Sequence, residues 1–186
     1  HRDLHSFPTR RSSDLNRQGK VLVYSFVDNA WVQVGSTIVG AEYESLGATG
    51  VKLSADGTTL AVSVTGFRYP INGSGAARVY TLINGDWAQL GADIVGVDAS
   101  DPEYYDSNFS NELCLSADGS KIFVLSDYGD AATGDSYHSQ KISSFEWSGT
   151  AWESFVPDFF AGESRDRKST RLNASHGKLY RMPSSA

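Results

Sequence analysis

The sequence predicts an all-β fold made of repeated four-stranded antiparallel sheets, and three observations carry that reading. LSADGTTLAVSV at 53–64 recurs as LSADGSKIFVLS at 115–126. VYSFVDNAWVQVGSTIVG, starting at Val23, recurs as VYTLINGDWAQLGADIVG from Val79, with a worn third copy, SFEWSGTAWESF, from Ser144. In all three an aromatic (Tyr24, Tyr80, Phe145) precedes a Trp (Trp31, Trp87, Trp152) by seven residues, while the Trp-to-Trp steps are 56 and 65 residues. Insertions therefore fall between strands, as in stacked repeats.

In chain order, the first expected strands are 20–27 and 31–39, joined by Asp28-Asn29. Four follow at about 48–54, 58–65, 76–83 and 87–95, and four more at about 109–116, 121–127, 141–147 and 151–156. Each is short, rich in Val, Ile and aromatics, and bounded by Asp, Asn or Gly, with no helical spacing of apolar residues. Asn84-Gly85 suits a type I′ hairpin turn, whose two central residues both need positive φ; Asp28-Asn29 and Ser148-Gly149 are its counterparts. Asp56-Gly57 and Asp118-Gly119 close the other hairpin of each unit, with Gly in the left-handed position.

Four short antiparallel strands per unit, with one Trp in each, indicate a β-propeller blade, here about two and a half blades. Residues 20–156 resemble propeller repeats of the FG-GAP/integrin-alpha-like type. Trp31, Gln33, Gly35, Trp87, Gln89, Gly91, Asp93 and both LSADG runs carry the resemblance, and the third unit lacks the Gln and Gly after its Trp. The resemblance implies a closed ring of blades. The chain is accordingly expected to be the interior of a longer protein, with apolar blade faces at both ends.

The two ends read differently. HRDLHSFPTRRSSDL begins like a kinase catalytic loop, but Pro8 stands where that loop needs a metal-binding Asn. Arg10-Arg11 and the basic stretch DRKSTRLNASHGKLYRMPSSA would also suit phosphate binding. Both ends, however, resemble forward translations of sequencing-library adapters, from which Ala174 and Tyr180 each depart by one base. Residues 1–15 and 165–186 are therefore expected to be adapter-derived, disordered arms with few core contacts, which leaves 16–164 as the propeller fragment.

Without those ends, residues 16–164 hold seven basic and nineteen acidic side chains, a net charge of −12. That acidity argues against nucleic acid or an anionic membrane as partner. No apolar run reaches the roughly 18–20 residues that span a bilayer. Cys114 is the single cysteine, which excludes an internal disulfide and a Cys-rich zinc site.

Candidate sites follow from residue chemistry. The repeated Trp residues suit either glycan stacking or blade packing, and their constant repeat position favours packing. Asp56 and Asp118 are carboxylates, but each stands where a turn needs Asp-Gly. Calcium is the cofactor expected, if any, because hard cations take oxygen ligands from Asp-rich loops. The metal-ligand candidates are Asp127, Asp130 and Asp135 in DYGDAATGD; DASDPEYYD, with Asp98, Asp101, Glu103 and Asp106, is a second acidic loop. Neither follows the alternating Asp order of the family's calcium loop, which favours a solvated acidic surface. His138 stands too isolated for zinc. Asn72 and Asn108 head glycosylation sequons, and that of Asn173 falls in the adapter-like end.

The functional expectation is a non-enzymatic interaction or adhesion module of a surface or secreted protein, extracellular, with a protein or glycan ligand. The alternative is a piece of a propeller hydrolase or lyase with its catalytic residues in other blades. No nucleophile–base pair is visible in the sequence.

Overall fold

The computed structural model describes residues 4–8, 17–65, 75–95, 104–130 and 139–161. Among them there is no helix; the chain forms fourteen strands in three antiparallel sheets. The first sheet contains β1 (Leu4–Pro8), β2 (Lys20–Val27), β3 (Ala30–Gln33) and β4 (Ile38–Val39). The second runs β5 (Leu46–Leu53), β6 (Thr59–Val64), β7 (Ala76–Ile83) and β8 (Asp86–Gln89), with β9 (Ile94–Val95) also on β7. The third repeats that order with β10 (Tyr104–Leu115), β11 (Lys121–Asp130), β12 (Ser139–Trp147) and β13 (Trp152–Ser154), and β14 (Phe159–Ala161) on β12. The expected all-β, blade-like architecture is what the chain adopts.

Three details depart from the sequence reading. The expected strands 31–39 and 87–95 are each broken into two pieces along one neighbour, β2 or β7, whereas the expected strand 151–156 is shorter, Trp152–Ser154, and a further piece, Phe159–Ala161, also pairs with β12. In the first two the break is a bend at Gly35 (φ 69°) and Gly91 (φ 78°), a conformation that a Cβ disfavours. Asn84 (φ 52°) and Gly85 (φ 85°) form the expected two-residue turn, and so do Asp28 and Asn29, but Trp147 pairs directly with Trp152 across a four-residue connection. There Gly149 alone takes positive φ. Leu4–Pro8, expected in an irregular arm, pairs antiparallel with β2, Leu4 opposite Ser25 and Pro8 opposite Val21. The unpaired backbone groups of an edge strand accept an extended segment of almost any sequence, and β1 takes the place beside β2 that β6 has beside β7.

The sheets pack face to face. Val21 and Val23 of the first sheet meet Leu60, Val62 and Tyr80 of the second in one core. Ala61, Ala77 and Val79, on the other face of the second sheet, meet Phe109, Ile122 and Phe145 of the third. Every residue of β6 is buried because both of its faces are covered, and period-two alternation sends Leu60 and Val62 one way and Ala61 the other. The first strands of the second and third sheets share an irregularity. β5 advances from Leu46 to Val51 while β6 moves only from Val64 to Val62, and β10 advances from Ser107 to Glu112 while β11 moves only from Asp127 to Leu125. The bulged amides of Thr49 and Gly50 donate to Ser63 Oγ (3.2 and 2.9 Å), so the extra residues keep hydrogen-bond partners.

Two glycines separate backbone strain from crowding. Gly85 and Gly119 both have positive φ, yet a Cβ on Gly85 would meet nothing within 4 Å, whereas one on Gly119 would lie 2.5 Å from Thr59 Oγ1 of the neighbouring sheet. Gly119→Ala should therefore cost at least about 1 kcal/mol more than Gly85→Ala in urea denaturation, since overpacking adds to strain. Equal costs would show that the turn of the third sheet does not press on the second.

Candidate functional site

Each LSADG segment forms a turn that uses its own polar atoms. Asp56 Oδ1 accepts from Ser54 Oγ (2.7 Å) and the Thr58 amide (3.0 Å), and Oδ2 accepts from Thr58 Oγ1 (2.8 Å). Ser54 Oγ in turn accepts the Thr59 amide at 2.9 Å. Asp118 repeats the pattern: its Oδ1 accepts from Ser116 Oγ (2.5 Å), the Ser120 amide (3.0 Å) and Ser120 Oγ (2.8 Å). These donors, the serine hydroxyl foremost, hold the Asp118 carboxyl down at about 2 and lower that of Asp56. Both are therefore ionised at neutral pH, with no proton to give as general acids, and their oxygens are engaged in shaping a turn. The turns also join the sheets, since the Ala55 amide donates to the Ala117 carbonyl at 2.8 Å.

The repeated Trp residues join the sheets at their outer edge. Trp87 Nε1 donates to the Val34 carbonyl of the first sheet (2.9 Å), and Trp152 Nε1 donates to the Leu90 carbonyl of the second (2.9 Å). The acceptor precedes a glycine each time. A Cβ on Gly35 would lie 2.7 Å from Trp87 Cδ1, and one on Gly91 would lie 3.2 Å from Trp152 Cδ1 and 2.7 Å from the Trp147 ring. Gln33 and Gln89 brace the same bend. Each Nε2 donates to the glycine carbonyl (3.0 Å in both) and to the side chain two residues further on, Thr37 or Asp93. Packing thus accounts for Trp87 and Trp152, whereas Trp31 is 48% exposed and stacks on Phe26 with centroids 5.0 Å apart.

A charged cluster that the sequence reading did not single out lies between the first two sheets. Arg78 of β7 donates through Nη1 and Nη2 to Glu44 (3.1 and 3.0 Å), and through Nε and Nη2 to Asp93 (2.7 and 2.6 Å). Glu44 also accepts the Ala41 amide at 2.7 Å. All three side chains are largely buried, and the carboxylate of Asp93, then that of Glu44, outweighs burial and raises the guanidinium pKa further. The signal was present in the sequence: Arg78 interrupts the apolar run AARVYTLI at a position where the first unit has Leu22 and the third Ser143.

Two of the three predicted metal ligands, Asp127 and Asp130, fall at the opposite end of the third sheet from its LSADG turn. Asp127 and Asp130 lie in β11, opposite Ser107 and Tyr104 of β10, so the strand runs three residues further than expected. Asp106 lies in β10 opposite Tyr128. Asp135, His138, Asn72, Asp98, Asp101 and Glu103 lie outside the described residues, as does Asn173. Among the described residues no three His, Cys, Asp or Glu side chains cluster as metal ligands. Asn108 lies in β10, where Phe109 and Ser110 of its sequon are fully buried and Ser110 Oγ donates to the Ala76 carbonyl (2.7 Å). Cys114 is buried and in no disulfide, and among the described residues no helix is long and apolar enough to cross a membrane.

No protein-family model matches the chain, and no curated protein matches it.

Two outcomes test this reading of the polar residues. Arg78→Leu leaves two largely buried carboxylates unpaired and should cost about 3 kcal/mol in chemical denaturation, most of it recovered when Glu44→Gln and Asp93→Asn are added. The Asp118 carboxyl has a folded pKa below its ordinary value of 3.8, so its stabilisation is complete above that value and lost as pH falls toward about 2. Melting temperature should fall over that interval, less steeply in Asp118→Asn, and carboxyl NMR should place the Asp118 midpoint near 2.

Proposed function

We propose that the chain is part of a β-propeller of the FG-GAP/integrin-alpha-like type and serves as a non-enzymatic interaction or adhesion module of a surface or secreted protein. The observation that carries this reading is where the recurrent polar side chains are engaged. Asp56 and Asp118 shape turns, Trp87 and Trp152 join sheets, and Gln33 and Gln89 brace bends. What recurs is scaffold, and what varies between units is left for recognition.

Topology supports one particular surface. The short connections 54–58, 84–85 and 116–120 leave one end of the sheets. The connections that differ in length and charge between units, 65–75, 96–103 and 131–138, leave the other end. A rigid base with variable segments gathered at one end suits a protein or glycan ligand. Calcium belongs to the same proposal through Asp127, Asp130 and Asp135, as an ion that would order this end.

The test is binding by the purified full chain to an immobilised panel of glycans and surface proteins, in millimolar calcium and in chelator. A saturable ligand is expected, lost when 66–74 or 131–138 is replaced by a Gly-Ser segment of equal length while the melting temperature is kept. Calcium dependence removed by Asp130→Ala would assign the ion to this end. Release of cleaved product from the panel, or binding indifferent to both replacements, would overturn the proposal.

A further inference from the structure

We propose that Asn84 is a site of spontaneous modification, at which the Gly85 nitrogen closes a ring on the Asn84 side chain, expels ammonia and leaves aspartyl and isoaspartyl linkages, and that this loosens the joint between the first and second sheets. The proposal is independent of what the variable end binds. Four pairs in the chain have the required pattern, Asp or Asn followed by Gly: Asp56-Gly57, Asn72-Gly73, Asn84-Gly85 and Asp118-Gly119. A glycine in the second place leaves the attacking nitrogen unhindered by a side chain and the backbone free to turn. Asn72-Gly73 lies outside the described residues, and the structure separates the other three.

The attacking atom is a backbone nitrogen that must give up its proton. In both LSADG turns that N–H is engaged, Gly57 donating to the Ser54 carbonyl (3.0 Å) and Gly119 to the Ser116 carbonyl (2.9 Å). The carbon to be attacked is a poor electrophile there as well. The Asp56 and Asp118 carboxyls accept from serine hydroxyls and are ionised at neutral pH, and an ionised carboxylate has no neutral group to expel. At Asn84-Gly85 neither restraint holds. Among the described residues the Gly85 amide has no hydrogen-bond acceptor and the Asn84 side chain no hydrogen-bond partner. Both residues are exposed, and a Cβ on Gly85 would meet nothing within 4 Å, so the turn has room to bring the Gly85 nitrogen against the Asn84 side chain. The step needs water alone. The bond from nitrogen to Cγ forms as the Cγ–Nδ2 bond breaks, and Nδ2 leaves as ammonia with the proton given up by the Gly85 amide. Water then opens the cyclic imide, at Cγ to give aspartate or at the main-chain carbonyl carbon to give isoaspartate, whose backbone runs through the former side chain and is longer by a methylene.

That extra length falls in a two-residue turn that sets the pairing beyond it. Ile83 pairs with Asp86 and Leu82 with Trp87. Asp86 accepts from the amide and hydroxyl of Ser36 (2.7 and 3.1 Å), and Trp87 Nε1 donates to the Val34 carbonyl (2.9 Å). The residues that fasten the second sheet to the first thus follow directly on the modified linkage.

The test is peptide mapping by mass spectrometry of the full chain, kept folded at mildly alkaline pH, with electron-transfer fragmentation to tell isoaspartate from aspartate. Asn84 is expected to gain about one dalton at least about tenfold faster than Asn29, which stands in the corresponding turn of the first sheet but is followed by Ala30. Asp56 and Asp118 should show no isoaspartate over the same period. The aged chain should melt about 2 °C or more below fresh chain and show greater acrylamide quenching of indole fluorescence. Asn84→Gly, which keeps two residues suited to positive φ in the turn, should age without either change. Ion exchange separates modified from unmodified wild-type chain by the added negative charge, so the comparison of melting and quenching stands even if the variant folds poorly. Modification at Asn84 no faster than at Asn29, isoaspartate at Asp56 or Asp118 ahead of it, or a modified fraction that melts and quenches like the unmodified one would overturn the proposal.

Discussion

The packing of the sheets depends on one contact made twice: an indole N–H donating to a carbonyl whose next residue is a glycine at positive φ. The glycine has to lack a Cβ for the ring to approach, and the bend it makes turns the preceding carbonyl toward the neighbouring sheet. The glutamine two residues earlier holds that bend by donating to the glycine's own carbonyl. Four residues that look unrelated in the linear pattern W-x-Q-x-G are therefore parts of one joint, with the Trp of each unit acting on the bend of the unit before it.

Around that joint, the recurrent polar groups bond to one another and to nearby backbone. The Asp of each LSADG turn accepts from a serine before it and a hydroxyl residue after it, which explains why Ser54, Thr58, Ser116 and Ser120 accompany the Asp-Gly pair. Asp86 plays a related part between sheets, accepting from the amide and hydroxyl of Ser36, and those bonds lower its pKa. Arg78 differs in kind. Its two carboxylates come from the connection between β4 and β5 and from the bend between β8 and β9, so the ion cluster ties the link between the first two sheets to the second sheet.

The bulges in β5 and β10 give the innermost strands a second means of attachment. Thr49 Oγ1 donates to the Ser110 carbonyl (2.9 Å), and Ser110, itself at φ 70°, donates to Ala76 (2.7 Å). Neighbouring sheets are thus fastened at the inner strand by bulges, at the outer strand by Trp and at one end by the LSADG turns. The connections of unequal length emerge from the end opposite the LSADG turns.

Much of this was legible in sequence, because strand period, turn chemistry and repeat spacing are local. The strands from Lys20 to Trp147, the Asn84-Gly85 turn and the structural part of Asp56 and Asp118 follow from residues within a few positions of one another. What sequence could not supply was every feature whose cause lies in another sheet. The bends at Gly35 and Gly91 each lie against an indole, whose N–H donates to a carbonyl 53 or 62 residues away. Arg78 gains its meaning only when Glu44, 34 residues earlier, is folded against it. The strand at Leu4–Pro8 arises from an open edge on β2 and not from strand propensity in its own residues. Likewise the acids at 127 and 130 read as part of a loop in the linear pattern, whereas the ladder with β10 carries both onto a strand. Short-range steric preferences therefore determined the elements, and contacts between distant side chains decided where those elements bend, which of them meet and which faces stay open.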